Sequence, residues 1–109
     1  MADNLKVLAQ AFPGAGVLTD AYAVPAGVAA SISSLVVANQ GVVWTTFRIA
    51  VAVAGAADAP QQYLYYDAPL GPKRTFIATI GGTLGPADVL RVQSGNGALS
   101  FNAFGVEVS

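Results

Sequence analysis

Three tyrosines give the sequence its strongest candidate binding site. Tyr63, Tyr65 and Tyr66 fall within the four-residue stretch YLYY. Strict alternation along a strand places Tyr63 and Tyr65 on one side and Leu64 and Tyr66 on the other. Rigid aromatic rings suit a protein interface, and they also suit stacking on a sugar. The cluster therefore predicts a subunit contact or a carbohydrate site, unless the rings only cap a sandwich with their hydroxyls bonded to Asp67 or to backbone.

Trp44 and Arg48 complete the set of candidate contact residues. Trp44 follows a Gly-Val-Val turn and opens a predicted strand, so it lies either in the core or in a contact with a neighbouring subunit. Arg48 lies within that strand and is able to pair with an acid across the ladder or across a subunit boundary. The sequence alone does not choose between these alternatives.

The residue types that perform catalysis or bind metals form no motif in this chain. Histidine and cysteine are absent, which removes the usual base for a serine nucleophile, thiolate chemistry and the usual zinc ligands. Most of the six acids stand at predicted strand ends or turns, where Asp commonly bonds its own backbone. The glycine-rich stretch IGGTLG precedes a strand, whereas a phosphate-binding loop precedes a helix. We therefore expect no enzyme, no cofactor and no metal.

Composition limits the class of partner. The 109 residues suit one domain, residues 1–109, around one core. Only 10% of the residues are charged, against roughly 25% in a typical domain. The five scattered bases predict no nucleic-acid partner, and no window approaches the roughly 18 apolar residues of a membrane span. A surface so poor in charge favours self-association, as a homotrimer or ring, or membership of a larger assembly.

Short apolar runs bounded by turn residues recur about every ten residues, which predicts an all-β chain of about eight short strands in an antiparallel β-sandwich or jelly roll. The runs are NLKVLAQAF, DAYAVP, SISSLVVANQG, WTTFRIAVAVAG, QQYLYYDAPL, RTFIATIGGTL, DVLRVQSG and ALSFNAFGVEV. The Asn96-Gly97 pair between the last two runs is the strongest hairpin signal in the chain. Residues 1–12 are either the first strand or an arm that reaches a neighbouring subunit.

Alternation also assigns side chains to faces. In the third run it groups Ile32 with Ser34 and Val36, and it places Leu35 and Val37 on the opposite face. In the fourth run one face holds Phe47, Ile49, Val51 and Val53, and the other holds Thr46, Arg48, Ala50 and Ala52. The fourth run is therefore predicted to be a half-buried strand.

Several segments, taken in order, resemble a small family of proteins encoded among the structural genes of tailed bacteriophages. They are NLKVLAQ, LTDAYAVPAG, ISSLVVANQG, TTFRIAVAVAGAA, QYLYYDAPL, TFIATIGGTL and DVLRVQSGNGALSFNAFGVEV, and together they cover nearly the whole chain. Two departures are DAYAVP, where an LYTVP-like segment is usual, and VANQ, where a cysteine-containing turn is common.

The resemblance implies a virion component made in the cytoplasm of the bacterial host, and it supplies no catalytic residues. The favoured role is a capsid decoration protein that binds the major capsid protein. A tail, neck or baseplate appendage bound to tail proteins is the alternative within the virion. A carbohydrate- or receptor-binding sandwich module is the alternative from another functional class.

Overall fold

The computed structural model describes residues 3–109 as two packed antiparallel sheets. The strands are β1 (Asp3–Ala11), β2 (Thr19–Ala23), β3 (Ala29–Asn39), β4 (Thr45–Ala52), β5 (Tyr63–Leu70), β6 (Thr75–Ala78), β7 (Gly82–Leu84), β8 (Val89–Ser94) and β9 (Leu99–Val108). Two 3-10 turns, Val53–Gly55 and Pro60–Gln62, lie between β4 and β5. The predicted sixth strand is divided into β6 and β7, with Gly81 at a φ of 60° in the break. The all-β sandwich prediction is confirmed.

The order of the strands is that of a jelly roll. The first sheet runs β1-β9-β3-β6, with β7 also paired to β3, and the second runs β2-β8-β4-β5. The chain crosses between the sheets at the connections after β1, β2, β3, β5, β7 and β8. With β6 and β7 counted as one strand, each sheet has four strands, as in a double-sheet jelly roll.

The Asn96-Gly97 pair does not form a hairpin, so that prediction is wrong. The strand before it, β8, belongs to the second sheet, and the strand after it, β9, belongs to the first. The local chemistry of a turn is present: Gly97 has a φ of 77° and donates its N–H to Ser94 Oγ at 2.9 Å. Turn residues reverse the direction of the chain, but they do not determine which strands pair. Both β8 and β9 bury one face, and the two strands pack against each other across the core instead of pairing side by side.

An aromatic cluster fills the centre of the core. Phe47 is 1% exposed, and its ring centroid lies 5.2 Å from Phe76, 6.0 Å from Tyr65 and 6.4 Å from Phe101. Buried aliphatic residues from both sheets surround it: Ile32, Val37, Ile49, Leu90, Val92 and Leu99. Burial of each such side chain stabilises the fold by about 1.5–3 kcal/mol, so the two sheets are held together mainly by this layer.

A bulge in β3 overturns the predicted grouping of Ile32 with Ser34 and Val36. The register with β9 shifts between Ile32 and Ser34, which leaves Ser33 as an extra residue. An extra residue reverses the side of every position beyond it. Ile32 is therefore in the core with Leu35 and Val37, at 1% exposure.

The predicted faces of β4 are correct at Phe47 and Ile49 and wrong at Val53. Val53 is 68% exposed because β4 ends at Ala52 and a 3-10 turn begins. Ala50 and Ala52 are fully buried even though they point away from the core. The connection 53–62 covers them from outside, which makes β4 buried on both sides over its second half.

Residues 3–11 form the first strand of the chain's own sheet. The β1 strand pairs with β9, and Leu8 and Ala9 are buried in the core at 8% exposure. The hypothesis of an arm that reaches a neighbouring subunit does not fit residues 3–11, and its remaining residues 1 and 2 lie outside the described part of the chain. Deleting residues 1–12 would remove an edge strand and two core residues.

Candidate functional site

Two irregularities in β5 bring Tyr63 and Tyr66 together on the outer side of the second sheet. Tyr63 lies opposite Ala50 and Tyr65 lies opposite Ile49, so an extra residue is inserted between the two tyrosines. The register shifts again before Ala68, where Asp67 has a φ of 53°. The prediction that Tyr63 and Tyr65 share a face is therefore wrong, because each extra residue reverses the alternation.

Tyr63, Tyr66 and Arg48 form one interlocked cluster. The Tyr63 and Tyr66 ring centroids are 5.0 Å apart at an interplanar angle of 89°. Arg48 Cζ lies 4.0 Å from the centroid of the Tyr66 ring, a cation–π distance. Arg48 Nε donates to Asp67 Oδ1 at 2.7 Å and Nη2 donates to Oδ2 at 3.2 Å, while Tyr63 Oη donates to Asp58 Oδ1 at 2.7 Å. The arrangement fixes both ring planes.

The same contacts set the charges of the cluster. The hydrogen bonds from the Arg48 guanidinium lower the pKa of the Asp67 carboxyl, and that carboxylate in turn raises the pKa of Arg48. Partial burial, followed by the hydrogen bond to Asp58, raises the pKa of the Tyr63 hydroxyl. At neutral pH the cluster thus presents a guanidinium paired with a carboxylate beside a protonated Tyr63 hydroxyl, which suits stacking and hydrogen bonding.

An open cleft of about 430 Å³ adjoins the cluster. Its lining residues are Arg48, Asp58, Ala59, Pro60, Tyr63 and Tyr66. The connection 53–62 forms one wall, and β4 and β5 form the other. The volume lies in the range of small-molecule sites. Two aromatic rings thus lie in the cleft beside a carboxylate and a guanidinium, those of Asp58 and Arg48.

Arg91 holds the connection 53–62 against the sheet. Its Nη1 donates to the Ala56 carbonyl at 2.7 Å and its Nη2 donates to Gly55 at 3.3 Å, while its Nε donates to Asp20 at 2.9 Å. On the same connection, Asp88 Oδ1 accepts the Ala54 N–H at 2.8 Å. No sequence pattern predicts a role at the cleft for Arg91 or for Asp58. The only signal for Asp58 is a Pro-containing turn that links it to Tyr63.

Tyr65 and Trp44 lie outside this cluster. Tyr65 turns towards the core, where its ring centroid lies 5.1 Å from that of Phe76. Trp44 is 66% exposed at one end of the sandwich, and a Cβ added to Gly71 would stand 3.1 Å from its Cζ2 atom. Of the two alternatives for Trp44, the core is therefore wrong. The exposed ring remains a candidate for a contact.

Four connections meet around Trp44 at what we call the loop end, which comprises residues 12–18, 40–44, 71–74 and 95–98. Hydrogen bonds join neighbouring loops: the Gln40 N–H donates to the Ala98 carbonyl at 2.9 Å, and Lys73 Nζ donates to the Gln40 carbonyl at 2.7 Å. The large exposed apolar side chains here are Phe12, Val17, Val42, Val43 and Trp44. The charged residues of these loops are Lys73 and Arg74, and none of them is an acid.

A buried asparagine holds the tip of the loop end in place. Asn39 is 2% exposed, and its Nδ2 group donates to the carbonyls of Val43, Leu70 and Gly71 at 2.9–3.1 Å. Its Oδ1 atom accepts the Gly41 N–H at 2.9 Å. Two N–H groups therefore serve three carbonyls, and one side chain ties the Trp44 loop to the end of β5. The apolar tip is consequently preorganised.

No protein-family model matches the chain, and no curated protein matches it either. Among residues 3–109, no three acidic side chains gather into a group that would hold a metal ion. Over the same residues, no helix is long and apolar enough to cross a membrane.

Proposed function

We propose that the chain is a structural component of a tailed-bacteriophage virion, a capsid decoration protein that attaches to the shell through its loop end. The observation that supports this most directly is the exposed tip Val42, Val43 and Trp44 beside two bases. Jelly rolls also occur in viral capsid domains and in lectins, but that is an analogy of fold and does not determine function.

The loop end has the composition of a protein interface. Exposed tryptophan surrounded by aliphatic side chains is typical of the residues that contribute most to binding free energy. The side chain of Asn39 fixes the loop before binding, so little conformational entropy is lost when a partner docks. Lys73 and Arg74, with no acid in the four loops, complement an acidic surface.

The partner is therefore an acidic patch with an apolar centre on the major capsid protein. Attachment of the same end to tail, neck or baseplate proteins is the alternative, since the same chemistry would serve there. Flat aromatic rings and small side chains allow close packing against a neighbour. The rigid sandwich suits a component that must remain folded on the particle.

Binding to purified shells that lack the protein tests the proposal, with tail fractions as a parallel sample. We expect Trp44→Ala to weaken shell binding by at least about 30-fold, as for a residue central to an interface. Tyr66→Ala, an exposed aromatic on the second sheet, is the matched control and should bind as wild type. Retention of shell binding by Trp44→Ala, or binding to tails alone, would contradict attachment to the shell through this end.

The tyrosine cleft favours carbohydrate binding as a second candidate function. Tyr66 is 60% exposed, and Arg48 and Asp58 offer hydrogen bonds at the rim of the same cleft. A glycan array probed with wild type and with Tyr66→Ala tests this function, with Trp44→Ala as the control. Specific glycans lost only in Tyr66→Ala would support it, and an array without signal would contradict it.

A further inference from the structure

We propose that the outer face of the first sheet is a self-association surface on which a second copy of this chain packs face to face about a two-fold axis. The inference deepens the proposed assembly role, on which it rests for its setting in a virion. The surface, which we call the apolar face, is defined by Leu5, Val7, Val36, Ile77, Phe104 and Val106.

The register of the first sheet places these side chains together. Leu5 lies opposite Val106, Val7 lies opposite Phe104, and Val36 lies opposite Ile77. Directly opposed residues of an antiparallel pair point to the same side of the sheet. Leu5, Ile77, Val7 and Phe104 are 79%, 64%, 47% and 38% exposed, so the side they share is the outer one.

The apolar face is free of charge over its centre. The positions between its apolar members are small or neutral polar: Gln10, Ser31, Ser34, Ala38, Thr75, Ser100 and Asn102. Lys6 and Glu107, on the same strands, alternate to the inner side and bond one another at 3.2 Å. Within the strands of the first sheet, the one charged side chain on the outer side is Asp3, at the start of β1 and opposite Val108.

A second copy is the occupant that fits an uncharged face. In a two-fold contact each patch meets itself, so a patch that carries charges of one sign would face like charge without a partner. The loop end is unsuited because Lys73 and Arg74 would face their own copies. The outer side of the second sheet is unsuited because two ion pairs and the connection 53–62 occupy it.

The dimensions are sufficient for a specific contact. Four strands at about 4.8 Å and ten residues of β9 at about 3.3 Å give a face of about 600 Å². That is the lower end of stable interfaces, which bury about 1,200–2,000 Å² over both partners. A two-fold contact yields a dimer, whereas the composition alone led to the expectation of a trimer or ring.

Sedimentation velocity over a range of concentrations tests the inference. We expect wild type to dimerise, and we expect Phe104→Arg and Ile77→Arg to raise the dimer Kd at least about 30-fold, because each buries an unpaired charge. Val53→Arg is the matched control, since Val53 is 68% exposed and Ile77 is 64% exposed. It should dimerise as wild type does. Circular dichroism confirms that each variant is folded.

Three results would overturn the inference: a monomeric wild type at every concentration, a trimeric mass, or a dimer that persists in folded Ile77→Arg. Shell binding of the same variants separates this inference from the proposed function. If Ile77→Arg is a monomer and still binds shells, then attachment to the shell and self-association use different surfaces. A dimer that does not bind shells would contradict the proposed function alone.

Discussion

Charged side chains are distributed very unequally between the two outer faces of the sandwich. The outer face of the second sheet displays the ion pairs Arg48–Asp67 and Arg91–Asp20, together with two stacked tyrosines and a covering connection. The apolar face of the first sheet displays no ion pair among residues 3–109. The third ion pair of the described chain, Lys6–Glu107, points inwards from the first sheet.

The difference shows how a chain with few charges uses them. Exposed ion pairs contribute little to stability, with a median near zero to about 1 kcal/mol, so a gain in stability does not explain why they cluster on one face. Charged side chains on the face of a sheet do keep that face from becoming a contiguous apolar patch, the feature that marks a site of protein interaction. The second sheet is protected in this way and the first is not, which is the contrast expected if only the first sheet receives another protein.

The largest effect that we expect is a loss of stability in Gly105→Ala, a substitution that should disrupt the first sheet. A Cβ on Gly105 would overlap the carbonyl oxygen of Ser31 and stand 2.9 Å from Leu8 Cδ1, in the middle strand between β1 and β3. We expect a loss of about 3 kcal/mol in the free energy of unfolding, measured by urea denaturation, because backbone must move. Gly14→Ala is the control, since its Cβ would lie 3.7 Å from Val17 Cγ2. An equal effect of the two substitutions would show that the close approach at Gly105 is relieved at no cost.

Periodicity was sufficient to predict the fold class. Apolar runs with turn residues between them predict the sandwich, and alternation in β9 correctly places Leu99 and Phe101 inside and Ser100 and Asn102 outside. Periodicity failed wherever a bulge inserts a residue, as at Ser33, because bulges depend on the pairing partner. The pairing of strands was equally hidden, and Asn96-Gly97 looked like a hairpin for that reason.

The candidate site was predictable in its residue types but not in its grouping. Tyr63, Tyr66 and Arg48 do meet, although alternation separated the two tyrosines. Tyr65 lies with the core, and Trp44 lies at the loop end, because their positions depend on long-range packing. The apolar face combines residues from four strands distant in sequence, and no local pattern indicates which of them point outwards together.

The substitution Arg91→Met tests whether a charged side chain holds the covering connection on the second sheet. The guanidinium donates to two carbonyls of the connection 53–62 and to Asp20, and the Arg91 side chain is only 12% exposed. We expect a loss of about 1.5–2 kcal/mol in unfolding free energy, in the lower part of the range for hydrogen bonds that involve a charged group. Amide exchange should quicken at residues 54–58 and stay unchanged in β1 and β9. Unchanged exchange throughout would mean that Arg91 does not hold this connection on the sheet.

The smallest effect that we expect is on stability at acid pH. The test compares one carboxylate from each sheet. Hydrogen bonds from Tyr22 and then from Lys6 lower the pKa of Glu107, and Arg48 lowers the pKa of Asp67. A lowered pKa in the folded state means that the carboxylate stabilises the fold above its unfolded pKa, near 4, and that this contribution is lost as the pH falls through the folded value. Stability measured from pH 5 down to pH 2 should therefore fall in wild type.

Glu107→Gln should flatten that fall more than Asp67→Asn does, because the Glu107 side chain is 14% exposed and that of Asp67 is 49% exposed. Tyr22→Phe is the control, since it keeps the ring and removes the first donor to Glu107. It should raise the pKa of Glu107, read directly by carbon NMR, and leave the pKa of Asp67 where it was. Equal flattening by the two amide variants would show that the exposed Asp67 is coupled to folding as strongly as the more sheltered Glu107. The contrast between the two faces would then lie only in what they bind.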